Sequence, residues 1–468
     1  MSRKIGRGAL AALAAGAMAL TLGSTASADV IDTDNPVIGV PEATVGSAKL
    51  FRIADANRVL TAVKASKSSN AWGSITTSTT NVWDCQGNYP QNPFDGATTT
   101  QSTGTRIEVP VLVGFFPPTV ISVECVSVVD TVTTSGTMDI IISRDDDYPD
   151  ALAAAPLADV RNAPILLHPT NLVDNDPRPT HTDEGLVPQV EAEIARLAGL
   201  AGPEGNVTGH VLGGTGALSH DVENAIDAIP GVDRTVRYQG MNRFETATTI
   251  ANVTVGFYRI ESGAAVPDVN AYLTTGLDFP DALSAGAAAA NNDGVVLLTN
   301  GEGWDRDDIT REYLKALRSF VDDNWMKNTT EVFAVGGPST RAAEGPDGVS
   351  LAASYWGADR YETATKTAAA TFADPDHFAI VSGYTFADAL VGSGFIANAD
   401  GPLLLTQNDK LNNHTANYLK ADSRPFGSGP NVDNGDTIVV FGGGGSVTPQ
   451  VSADVKALLD GLFALPSW

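Results

Sequence analysis

The 468-residue chain is poor in cysteine, histidine and basic residues. It has only Cys85 and Cys125, six histidines, and 29 lysines and arginines against 55 aspartates and glutamates. Two cysteines are too few for a structural zinc site, and the histidines form neither H-x-x-x-H nor H-E-x-x-H. No metal and no cofactor is therefore expected. The formal net charge of −26 excludes binding to nucleic acid or an anionic membrane by bulk attraction. Beyond the first 28 residues no apolar run reaches the roughly 18 residues of a membrane span. Hydrolase signatures such as G-x-S-x-G, S-x-x-K and a Cys–His nucleophile are missing too, so no enzyme is expected.

What is present begins with an export signal. Arg3, Lys4 and Arg7 precede an apolar stretch from Ala9 to Leu22, and Ala26-Ser27-Ala28 forms an A-x-A cleavage site. Residues 1–28 read as a signal peptide, and the exported chain as a soluble acidic protein. In that setting Cys85 and Cys125 read as one disulfide closing a loop of about 40 residues, worth roughly 4 kcal/mol by chain entropy. At 43% hydrophobic and 18% charged, the rest is globular in composition.

Sliding the chain against itself reveals four blocks repeated three times in the same order. Block one is Arg237-Tyr-Gln-Gly-Met-Asn-Arg243-Phe-Glu-Thr246, matched by Ser354 to Thr363 and, more loosely, by Arg52 to Thr61. Block two is YPDALAAAPL from Tyr148, FPDALSAGAA from Phe279 and FADALVGSGF from Phe386. Block three is an apolar run at Pro164, Gly294 and Gly401. Block four is HVLGGTGALS from His210, VFAVGGPST from Val332 and IVVFGGGGSV from Ile438.

Spacing locates an insertion. Arg243 to Asp281 spans 38 positions and Arg360 to Asp388 spans 28, but Arg58 to Asp150 spans 92. The extra segment, at about 66–137, holds both cysteines and alternating apolar runs, so it reads as a disulfide-stapled β insertion. Elsewhere short apolar strands alternate with helical segments, as in 271–275, 281–290, 295–298, 306–322 and 332–335. This pattern predicts three tandem small parallel-sheet α/β modules. The boundaries are set at 29–232 for the first module with its insertion, 233–349 for the second and 350–468 for the third.

The block order R-x-x-G-x-[ND]-R-[YF]-x-T-A, [FY]-x-D-A-L, G-[PV]-[LV]-L-L-T and apolar-G-G resembles the cell-wall-binding repeat type 2 family. The resemblance covers nearly all of the chain past Ala48, the insertion apart. It implies three modules in a pseudo-threefold arrangement at the Gram-positive cell surface, with no catalysis, holding an anionic cell-wall glycopolymer. The alternative is a surface-layer or interaction protein whose β insertion binds another protein or a host ligand.

Candidate ligand residues are the matched Arg58, Arg243 and Arg360 and the matched Asp150, Asp281 and Asp388. An Arg fork suits a carboxylate or phosphate on a polymer, but the preferred reading is an internal pair with the repeated Asp that locks module geometry. Each Asp falls in the first turn of a small-residue helix, where it complements the helix dipole or accepts from sugar hydroxyls. The first repeat departs from the pattern at Val59-Leu60 and the third at Ser354, so the modules are not expected to be equivalent sites. The run Arg144 to Asp147 lacks EF-hand spacing and reads as an acidic loop.

Overall fold

The computed structural model describes residues 41–463 apart from 46–47, 56, 70–71, 86–100, 114–118, 171–184, 204, 263–268, 306–307, 320–329, 422–431, 433–435 and 444; for 75–85, 101–113, 119–135, 261–262 and 319 it describes only the backbone path. The signal peptide read at 1–28 lies outside the described residues, as do the side chains of Cys85 and Cys125. Chain contacts set the insertion, Thr77–Thr133, apart as a compact unit from the rest of the described chain. Among the described residues no helix is long and apolar enough to cross a membrane.

The chain opens with β1 (Ala43–Val45), β2 (Ala48–Ile53) and α1 (Arg58–Lys67). The insertion follows with β3 (Ser74–Cys85) and β4 (Gln101–Val113), leading into β5 (Thr119–Arg144), whose first part pairs antiparallel with β4. The first repeat continues with α2 (Ala154–Arg161), β6 (Ile165–His168), α3 (Pro188–Ala201), β7 (Asn206–Leu212) and α4 (His220–Asp227). The second runs through β8 (Arg234–Tyr238), α5 (Arg243–Ser262), β9 (Asn270–Thr275), α6 (Pro280–Asn291), β10 (Gly294–Thr299), α7 (Ile309–Ser319), β11 (Val332–Val335) and α8 (Gly337–Glu344). The third repeats that order: β12 (Ala353–Tyr355), α9 (Arg360–Thr371), β13 (His377–Ser382), α10 (Phe386–Ala397), β14 (Leu403–Thr406), α11 (Asn413–Lys420), β15 (Thr437–Phe441) and α12 (Pro449–Phe463).

These strands form parallel sheets, as the alternation of strand and helix requires. The sheet orders are β6-β5-β7-β8, β10-β9-β11-β12 and β14-β13-β15-β2-β1, with only the β1 edge antiparallel in the last. The strands β6, β10, β11, β13, β14 and β15 are buried along their whole length, which explains why they read as unbroken apolar runs instead of alternating ones.

The sheets do not stop where the sequence repeats stop. The block-one strand β8 pairs with β7 of the preceding repeat, and β12 pairs with β11 in the same way. Completing the cycle, β2 near the start of the chain pairs with β15 near its end, from Lys49 opposite Thr437 to Ile53 opposite Phe441. Each sheet is thus finished by a strand from the next repeat in the cycle.

The block-two helices α2, α6 and α10 pack against one another. Their aromatic residues meet pairwise: Tyr148 with Phe279 at 5.5 Å, Tyr148 with Phe386 at 5.6 Å and Phe279 with Phe386 at 6.1 Å between ring centres. Seven residues further along, about two helical turns, the matched residues Ala155, Gly286 and Ser393 meet. A Cβ on Gly286 would lie 3.0 Å from both the Ala155 methyl and the Ser393 hydroxyl, so only small side chains allow three helices this close.

Candidate functional site

Block one is a helix-start device. Asn57, Asn242 and Asp359 precede α1, α5 and α9, and each side-chain oxygen accepts a backbone N–H three residues on, at 2.9, 3.0 and 2.9 Å. In the second and third repeats the motif glutamate reaches back as well. Glu245 accepts from the Met241 N–H at 2.7 Å and Glu362 from the Ala358 N–H at 2.6 Å. The Gly240 and Gly357 N–H groups donate to the hydroxyls of Thr246 and Thr363, both at 3.1 Å.

That arrangement delivers the next repeat's Arg and Thr to the block-two Asp of the module before it, which is buried at Asp388 and part-buried at Asp150 and Asp281. Asp150, at the start of the first module's block two, accepts from Thr246, with Arg243 and Arg144 nearby. Asp388 accepts from Thr61 and Ser446, with Arg58 and Arg52 nearby. Asp281 faces Arg360 and Asp278 and has no side-chain hydrogen bond among the described residues. Burial raises the pKa of all three, and that of Asp281 is pushed up to about 6, with the neighbouring Asp278 charge adding to the rise and Arg360 opposing it.

Each Asp also packs on the first glycine of block four in its own module. Gly213, Gly336 and Gly442 have φ of +92°, +96° and +115°, a conformation that favours glycine. A Cβ on Gly213 would stand 2.5 Å from an Asp150 carboxylate oxygen, and one on Gly442 3.0 Å from Asp388. The double glycines are thus turns that admit a carboxylate.

No hydrogen bond joins a repeated Arg to a repeated Asp among the described residues. Arg243 instead donates to the Gly276 carbonyl at 2.6 Å, and Arg360 to the Gly383 carbonyl and to Asp278 at 3.4 Å. Gly276 and Gly383 follow β9 and β13, and Asp145 holds the matched place after β5. There Arg58 donates to the Asp145 carboxylate at 3.0 Å. The acidic run is accordingly partnered: Arg144 forks onto Asp146 at 2.7 and 3.0 Å while Asp145 holds Arg58.

The first Arg of block one is a junction clamp that sequence reasoning missed. Arg237 donates to the Gly213 and Ser219 carbonyls and to Glu223. Arg52 donates to the Gly442, Val447 and Thr448 carbonyls and to the Ser452 hydroxyl. Both tie the end of one module to the start of the next repeat. Ser354 holds the matched place in the third repeat, and there the Gly336 carbonyl accepts from the hydroxyls of Ser339 and Thr340, each at 3.0 Å.

The junction without the clamp carries a cleft of about 290 Å³. Asp281 and Arg360 line it together with Asp278, Arg341, Trp356 and Asp359. Arg341 pairs with Glu302 at 2.8 Å, and Trp356 is half exposed. Arg341 and Trp356 were not singled out from sequence. The one signal for Trp356 is that an indole stands where the matched positions are Ala54 and Gln239.

Comparison with known proteins now adds to this geometry. The model of the cell wall binding domain 2 family matches residues 52–223, 237–343 and 355–452, the three repeats. The chain is 25% identical over 276 residues to the "amidase enhancer" of Bacillus subtilis strain 168, covering 58% of this chain and 32% of that protein. It is 24% identical over 274 residues to the N-acetylmuramoyl-L-alanine amidase LytC of the same organism, covering 58% and 46%. The chain therefore matches less than half the length of these relatives. Two Clostridium difficile structures share the fold with a TM-score of 0.56: Cwp6 at 17% identity, covering 91% of this chain and 51% of that one, and Cwp8 at 18%, covering 90% and 52%. With three matched segments that coincide with three structural repeats, the chain belongs to the cell wall binding domain 2 family.

Proposed function

We propose that this chain is an exported, noncatalytic protein that attaches to an anionic glycopolymer of the Gram-positive wall through its three modules, packed about a pseudo-threefold axis. The observation that carries the reading is the second–third junction, where the repeated Asp281 and Arg360 line an open cleft beside an exposed indole. Carboxylate, guanidinium and indole together suit a sugar, offering an acceptor for hydroxyls, a donor fork and an apolar face. Arg58, Arg243, Asp150 and Asp388 stand at the matched junctions. Attachment relies on short-range contacts, because an acidic protein and an anionic polymer repel beyond the roughly 8 Å Debye length at physiological salt.

Co-sedimentation with purified walls tests this, before and after chemical removal of their anionic polymer. The chain should pellet with intact walls and stay in solution with stripped ones; failure to pellet with intact walls would refute the reading.

A second reading rests on the compact unit at Thr77–Thr133, which gives the insertion a body of its own. In that reading the insertion binds another surface protein, and deleting it abolishes partner capture while wall attachment survives. The proposed Cys85–Cys125 disulfide is checked by mass spectrometry of unreduced peptides.

A further inference from the structure

Trp356 is fixed at its backbone and open at its ring. Its carbonyl accepts from the Lys366 ammonium at 3.1 Å, and the two N–H groups that follow are held by Thr363 and Glu362. Two openings share it. One is the cleft of about 290 Å³ beside Asp281; the other, of about 580 Å³, is lined by Ser354, Tyr355, Ala358 and Lys366. Trp356 and Gly357 line both, so they form the boundary between the two. A half-exposed tryptophan on a rigid turn between two cavities is the arrangement expected of a stacking platform, since its apolar surface gains most when covered.

The partners inside the smaller cleft narrow the ligand chemistry. Asp278 is engaged by Arg360, Asp359 by the Glu362 N–H, and Arg341 by Glu302. Asp281 alone has a largely buried carboxyl without a hydrogen-bond donor among the described residues. A buried carboxyl in that condition calls for donors. A phosphate or carboxylate entering there would meet three acids against two arginines. Hydroxyls would not.

We infer that the second–third junction binds two consecutive sugar residues across Trp356: an uncharged ring beside Asp281, its hydroxyls donating to that carboxyl, and the next ring beside Lys366, the one cationic side chain lining the wider opening. The inference rests on the glycopolymer reading and narrows it to one junction and a two-residue epitope. The matched positions Ala54 and Gln239 offer no such platform.

Wall co-sedimentation of the full chain tests it, with competition by neutral one-residue and two-residue fragments of the polymer released from the same walls. Trp356→Ala should weaken binding at least tenfold with its melting temperature unchanged, Trp356→Phe should recover most of it, and Gln239→Ala should bind as wild type does. Two-residue fragments should compete at least tenfold better than single residues. Wild-type pelleting that Trp356→Ala leaves intact, or equal competition by single residues, would overturn the site while leaving wall attachment standing. A wild-type chain that does not pellet at all would overturn both.

Discussion

The third–first and second–third junctions use the same parts to opposite ends. At the third–first junction Arg52 crosses from β2 into the third module with four donated hydrogen bonds, and Asp388 accepts from Thr61 and Ser446 although its Oδ1 has no partner among the described residues. At the second–third junction serine replaces that arginine, the Asp281 side chain has no donor among the described residues, and a cleft opens beside Trp356. One junction is a fastening and the other is a vacancy. Repeated sequence therefore does not mean repeated sites: when a fold is built from cyclic copies, one interface can be relieved of structural duty while the other two hold the assembly.

Arg52→Ala should give the largest effect that sharpens this contrast. It strands several carbonyls and unfastens the strand that closes the cycle, so a loss of about 4 kcal/mol is expected by denaturant titration, several charged-group hydrogen bonds being removed at once. Ser354→Ala, at the matched place, should cost less than about 0.5 kcal/mol, as surface substitutions usually do. Comparable losses in both would break the comparison.

Asp281→Asn should move stability and binding in opposite directions. The folded chain holds its proton up to about pH 6, whereas the unfolded carboxyl releases it near 3.8. The carboxyl's cost is absent below the lower value, grows as pH rises through that window and is complete above it. The substitution should therefore stabilise the protein at pH 7.5 by up to about 3 kcal/mol, leave melting at pH 3.5 unchanged, and weaken wall binding. A melting temperature that falls at pH 7.5 would show that the carboxylate is internally satisfied after all.

Gly442→Ala comes next, at about 2 kcal/mol, because its positive φ strains any side chain and Ser446 and Asp388 crowd the new methyl. The smallest expected change is in Arg341→Ala. Among the described residues it pairs with the exposed Glu302, so stability should shift by less than about 0.5 kcal/mol while wall binding declines.

Much of the fold was legible in the sequence, because burial on both faces makes parallel strands such as 295–298 and 332–335 read as apolar runs between helices. The exchange of block-one strands was not, since periodicity reports which residues are buried but not which strand they lie beside. Arg52 shows the cost: it looked like a motif residue of the first repeat, yet its partners lie near residue 450, joined only once β2 meets β15. The repeated Arg and Asp did come together at the junctions, though across modules and without a direct bond. Trp356 was visible only as a departure from the repeat, and a departure has meaning only when the cleft beside it is seen. The acidic run was readable as charge, but pairing of Asp145 with Arg58 required knowing that Asp145 stands where Gly276 and Gly383 stand.

Hydrogen–deuterium exchange of the whole chain, with and without purified wall polymer, tests the central claim most directly. Binding at one junction should slow exchange in peptides covering 276–283 and 354–366, and leave 52–61 with 385–390, and 147–152 with 239–246, unchanged. Equal protection at all three junctions, or protection confined to the other two, would contradict the division of labour argued from Arg52, Ser354 and Trp356.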